Sequence, residues 1–242
     1  MVMAQSATPE STQAPSSTEP PSSAEVVEAD SRVKLAQSIQ SELSAQSHQL
    51  ALQLESLSLV KTTSFGGECM NARAYDSASV GKVHERIRTR ALGRFSAPAA
   101  AAAKAELERT FPKRPTPEKS VCFGSTPTYS EAQVSTLWER LAQWFKGTEK
   151  FSLLIDVTVQ SNTRAEAKLS PAAGDGSLIH GPRWTESRFP KLFRGIYRVS
   201  TLANGYKPFN GEISLVDDDA PTIQCELVKV AEQGESRCAL MP

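Results

Sequence analysis

Residues Ser130–Val159 read SEAQVSTLWERLAQWFKGTEKFSLLIDVTV, and within them the hydrophobic period changes. Up to Phe145 the apolar residues Val134, Leu137, Trp138, Leu141 and Phe145 recur at the spacing of one helix face. Ser130 and Gln133 stand three apart just before that run, the pattern of a capping box, and Gly147 is the expected stop. From Phe151 the period is two: Phe151, Leu153, Ile155, Val157 and Val159 alternate with Ser152, Leu154, Asp156 and Thr158, which predicts a strand with one buried face. The fold class expected from this junction is α+β, helical before it and strand-rich after it.

Downstream, alternation repeats in short pieces. Ala165, Ala167 and Leu169 predict a second strand, and Tyr197, Val199 and Thr201 a third. Ile213 and Leu215 mark a fourth, and Ile223, Cys225 and Leu227 a fifth. Asn204-Gly205 and Asn210-Gly211 supply turn residues that tolerate positive φ. Short alternating strands without intervening helices predict a small antiparallel β-sandwich over residues 148–232, followed by a flexible tail, 233–242.

The run Phe193-Arg194-Gly195-Ile196-Tyr197-Arg198-Val199, then Asn204-Gly205-Tyr206-Lys207-Pro208, resembles the G-x-Y-x-V … G-Y-K-P hairpin of PEGA-type modules. It is also similar to carboxypeptidase-regulatory-like and transthyretin-like β-sandwiches, over roughly residues 151–230. The resemblance implies a non-catalytic accessory module that binds proteins or carbohydrate. The segment from Ala172 to Lys191 is then a longer insertion than the family pattern has. It carries Arg183, Trp184 and Arg188, residue types common at binding hot spots, and is read as a contact loop or as a cover over one end of the sandwich.

Upstream, residues 1–30 hold five acidic residues (Glu10, Glu19, Glu25, Glu28, Asp30), no lysine or arginine and no aromatic residue. Such a segment buries too little apolar surface to offset its ordering entropy and is expected to be disordered. Residues 31–111 read as helical. Leu43, Leu50 and Leu57 recur every seven residues, a narrow stripe that either packs within the chain or presents a seam for self-association or a partner helix. Val80, Val83, Ile87, Ala91 and Phe95 predict another helix, whose other face carries Arg86, Arg90 and Arg94. Between Lys82 and Lys119 there are ten Lys/Arg against four Glu, a net of +6. Such a basic segment suits an acidic partner, an anionic surface or nucleic acid. Pro112, Pro115 and Pro117 make residues 112–129 an extended connector before the helix of residues 130–147.

Over the whole chain of 242 residues, 27 Lys/Arg balance 27 Asp/Glu, which disfavours a strongly basic nucleic-acid binder and an acidic solvating protein alike. No apolar run is long enough to span a membrane, and no signal-peptide core is evident, so a cytoplasmic protein is expected. Cys69, Cys122, Cys225 and Cys238 are read as reduced thiols, although a Cys225–Cys238 bridge is allowed by number. Neither the cysteines nor the three histidines have metal-ligand spacing, so no metal or cofactor is expected. Asp217-Asp218-Asp219 reads as an acidic turn before the last strand rather than a calcium loop. Phosphate-loop, dinucleotide and nucleophile-elbow motifs are missing. The one catalytic arrangement left is a cysteine-dependent hydrolase with Cys122 paired to His84 or His180. The favoured reading is a non-enzymatic interaction or adaptor protein, with a nucleic-acid-associated protein using residues 82–119 as the alternative.

Overall fold

The structure, a computed structural model, describes residues 23–61, 69, 72–119, 121–173 and 179–241. Helix α1 spans Ser23–Glu55, so the last eight residues of the expected disordered tail are helical; residues 1–22 lie outside the described residues. A tertiary contact lies near the start of α1. Arg32 pairs with Glu28 at 2.9 Å and donates to the carbonyl of Pro190 at 3.0 Å, tying this end to the rest of the molecule.

Strands β1 (Leu59–Lys61), β2 (Arg73–Asp76) and β3 (Thr128–Tyr129) form a small antiparallel sheet. Asp76 ends β2 and caps helix α2 (Ser77–Gly93), accepting from the Ser79 amide at 2.7 Å. A 3-10 turn at Pro98–Ala100 leads into α3 (Ala101–Thr110). Helix α4 (Glu131–Thr148) opens with the anticipated capping box between Ser130 and Gln133, but continues through Gly147 to Thr148. The buried faces of α1, α2, α3 and α4 share one core with Phe111, Tyr129 and Phe151.

The C-terminal half is a single six-stranded mixed sheet, where an antiparallel sandwich was expected. Its strands are β4 (Leu154–Pro171), β5 (Ile179–Phe193), β6 (Gly195–Leu202), β7 (Phe209–Leu215), β8 (Thr222–Glu226) and β9 (Arg237–Leu240). The first two expected strands are one, β4, kinked where its register with β5 shifts between Gln160 and Ala165. β5 pairs along β4, while β6 (against Glu166–Pro171) and β8 (against Thr158–Ser161) also pair with it. β8 runs parallel to β4. At the kink the Asn162 side chain donates to the Leu227 carbonyl (3.0 Å) and accepts from the Leu227 amide (2.9 Å), continuing the parallel ladder with a side-chain amide. The sheet curls toward closure, with Thr201 Oγ1 of β6 3.9 Å from Cys238 Sγ of β9.

The expected insertion loop is largely strand β5. Its Pro190 is accommodated in a bulge: two residues, Pro190 and Lys191, lie opposite Asp156 alone. Lys191 takes a positive φ of 56°, and the Asp156 carboxylate accepts its amide at 2.9 Å. The expected flexible tail likewise contains a strand, β9, with Cys238 directly opposite Cys225.

All four cysteines are bonded, Cys69 to Cys122 and Cys225 to Cys238, which overturns the reading of reduced thiols. Among the described residues no helix is long and apolar enough to cross a membrane.

The helices and the sheet interlock. Ala102 of α3 belongs to the core of the sheet, and Phe193 and Val216 belong to the helical core. A Cβ on Gly195 would come within 2.4–2.7 Å of the Ala102 backbone and Cβ, at a φ of +157° that few side chains adopt. Gly195→Ala is therefore expected to lower unfolding stability by more than about 2 kcal/mol. Gly147→Ala, in a helix with nothing near the new methyl, should raise it by about 0.5–1 kcal/mol. Urea unfolding of both variants checks this pair. A second expectation concerns the thiols. The unreduced, denatured protein should label at none of its four cysteines, and Cys225→Ala/Cys238→Ala should unfold about 3 kcal/mol more easily.

Candidate functional site

A groove of about 680 Å³ runs between α2 and the proline connector. Its α2 wall presents His84, Glu85 and Arg88; its other wall is the extended chain Pro112-Lys113-Arg114-Pro115-Thr116-Pro117, with Ser77, Glu108, Phe111 and Tyr129 completing the lining. The connector is held at its root. His84 Nε2–H donates to the Pro112 carbonyl at 2.8 Å, which fixes the neutral tautomer. Beneath them lies a row of edge-to-face rings: His84 on Phe111 (5.0 Å), Phe111 on Trp144 (4.9 Å) and Trp144 on Phe145 (5.3 Å). Further along, Gly81 admits the Arg114 guanidinium, since a Cβ there would lie 2.6 Å from Nη1.

The electrostatics are cationic with acidic points. Arg88 reaches Glu85 at 3.4 Å, an exposed contact that contributes little. Lys113 and Arg114 are exposed, and among the described residues neither has an acidic partner. Burial lowers the pKa of His84 below its ordinary value of 6.5; Arg114 pushes the same way, and the Pro112 bond opposes them.

A smaller concavity of about 390 Å³ lies on the sheet, floored by Lys168, Ser170, Arg198, Ser200, Asn210 and Glu212. Its charges are already satisfied locally, Arg198 by Glu212 (3.4 Å) and Lys168 by Glu166 (2.9 Å). The groove therefore offers the less committed charge.

The residues singled out from the sequence fall in several places. Leu43, Leu50 and Leu57 are 2%, 6% and 7% exposed and pack inside the chain's own core, so they present no seam. Arg94 is turned toward α1 and pairs with Glu42. Arg86 and Arg90 are exposed on α2, away from the groove, and form no ion pair among the described residues. Arg183 and Trp184 stand in β5 opposite Glu166 and Ala165, with their side chains outside the described residues. Arg188 is exposed and pairs with Glu186 at 3.0 Å. The bond to Cys69 removes the thiolate that a Cys122 nucleophile needs, so the dyads with His84 and His180 are overturned. Asp217 is held by Lys150 and Asp219 by buried Arg194, while Asp218 accepts the Ala220 amide; the three carboxylates diverge into separate contacts. Among the described residues no group of three or more His, Cys, Asp or Glu side chains could hold a metal ion.

In sequence, Pro112–Pro117 reads as part of an extended connector and of the basic segment 82–119, not as the wall of a groove. The available signal was the interleaving of prolines with Lys113 and Arg114, which marks a stiff segment displaying charge. No family model matches the chain, and no curated protein matches it in sequence.

The buried histidine gives the groove a pH signature. Above about pH 6.5 His84 is largely neutral both folded and unfolded; below it the unfolded chain takes the proton first, so stability decreases as the pH is lowered. Between about pH 7 and 5.5 the melting temperature should drop more steeply for the native protein than for His84→Gln, which keeps a donor without a titrating ring. Thermal melts across that range check it.

Proposed function

We propose that the protein is a non-enzymatic interaction or adaptor protein whose contact surface is the groove between α2 and the proline connector. The observation that carries this reading is the pairing of uncommitted cations, Lys113 and Arg114, with a rigidly supported extended wall over an aromatic floor. With no acidic partner among the described residues, these charges break no ion pair in meeting a ligand, and a wall fixed beforehand loses little entropy on binding. The leucine stripe offers no docking surface, because Leu43, Leu50 and Leu57 already fill the core.

One observation favours a second reading. Lys82, Arg86 and Arg90 are exposed at successive i, i+4 positions of α2. Like charges one turn apart repel, and a row left uncompensated suits a phosphate-bearing partner such as nucleic acid.

Capture from the native source separates the two. The full chain is compared with Lys113→Glu/Arg114→Glu and with Arg86→Glu/Arg90→Glu, each verified as folded by circular dichroism. A protein partner lost only with the groove variant is the expected result. Recovery of nucleic acid, lost only with the Arg86/Arg90 variant and weakening with salt at a log–log slope of about −2 to −3, would establish the second reading instead. Capture insensitive to both variants would overturn both readings.

A further inference from the structure

We infer that the groove takes an extended, acidic peptide segment of a partner protein, docked alongside the proline connector; this rests on the reading of the groove as the contact surface. Three features select that ligand.

The first is the backbone. Phe111, Arg114 and Thr116 each precede a proline and are confined to extended conformations. Phe111 enters the connector at φ −59° and ψ 130°, in the polyproline region. Two of the connector's carbonyls are engaged from the protein side, Pro112 by His84 and Thr116 by the Gln133 side chain. The amides of Lys113, Arg114 and Thr116 find no acceptor among the described residues. The Arg114 and Thr116 amides stand two residues apart, the interval at which an extended neighbouring chain presents its carbonyls. Six residues of such backbone span about 19 Å at the polyproline rise, enough for a peptide of similar length.

The second is charge. Lys113 and Arg114 flank those amides, and Arg88 faces them across the groove. Carboxylates on the incoming chain would meet charge-assisted donors from both walls.

The third is what the groove repels. Glu85 and Glu108 line it as well, so a uniformly anionic phosphodiester backbone would meet carboxylates that it cannot satisfy. A peptide has neutral positions to place there, and half-buried prolines over the Phe111 floor suit its apolar side chains.

The test is fluorescence anisotropy with the full chain and a labelled peptide of alternating Glu and Val. The comparison probes are the Gln-for-Glu peptide and a single-stranded DNA oligonucleotide of equal charge. The Glu peptide is expected to bind at least about tenfold tighter than the Gln peptide. Lys113→Glu/Arg114→Glu should weaken it by about tenfold or more. Thr116→Pro, which deletes one free amide at an already extended position, should weaken it severalfold, while Arg86→Gln/Arg90→Gln leaves it unchanged. Melting temperatures of the variants confirm that they fold. Two outcomes overturn the proposal: oligonucleotide binding as tight as the peptide's, or peptide binding indifferent to Lys113, Arg114 and Thr116. Absence of peptide binding overturns it too. If native-source capture still depends on the groove in that case, the contact surface stands and only the ligand class falls; if capture is also insensitive, both fall.

Discussion

The close approach of α3 to the start of β6 governs the architecture. Three residues in a row divide the work there. Phe193 sits in the helical core; Arg194, buried, donates to the carbonyls of Val216 (3.1 Å) and Asp218 (3.0 Å); Gly195 lets Ala102 lie against the backbone. Two residues on, Tyr197 donates its hydroxyl to the Phe193 carbonyl at 2.7 Å, and burial pushes its phenol above the usual range, so it remains a donor. Arg194 is a buried cation whose direct partners are mostly carbonyls, which is costly to desolvate and ruinous to orphan. Its return is topological. It grips the segment between β7 and β8 as the chain crosses to lie parallel beside β4. The mixed sheet and its union with the helices thus depend on the same few residues.

What was legible in the sequence follows the strength of local signals. Helix α4 carries five apolar residues on one face and its own capping box, and α2 carries a clean buried stripe, so both emerge from periodicity. β6 and β8 alternate regularly and also emerge. β5 does not, because Gly181, Pro182 and Pro190 interrupt it and its register slips three times against β4. Tertiary pairing compensates for each break, and no window of sequence holds that information. The parallel direction of β8 is likewise non-local. An acidic turn before a strand suggests reversal to a neighbour, whereas the Arg194 clamp carries the chain across. β9 is four residues long and acquires its place from its bond to Cys225.

The groove was hidden for a related reason. Its parts were each noticed separately: a basic helix, a proline connector, a histidine. His84 and Pro112 are 28 residues apart and meet only once α2 and α3 have packed, and the Trp144 ring that supports Phe111 beneath them comes from a third helix, α4. The leucine stripe, by contrast, was conspicuous and not diagnostic. A heptad pattern records that one helix face is apolar, not whether the cover is another chain or the same one. Here α4 covers it, with Trp138 Nε1–H donating to the Leu50 carbonyl at 3.2 Å.

Rigidity is what sets the connector apart from the other exposed segments. Prolines hold its dihedrals, His84 fixes one end, and the bridge of Glu118 to Thr128 fixes the other through paired backbone bonds of 2.8 and 2.9 Å. Beyond that bridge Cys122 is tied to Cys69. A segment anchored at both ends and stiff between them has already surrendered most of the entropy that a binding loop would lose on docking. Evolutionarily idle linkers have no use for such anchoring, since a spacer works as well when it is slack. The proposed peptide contact draws on this conjunction: anchoring at both ends, with amides and cations that have no partner among the described residues.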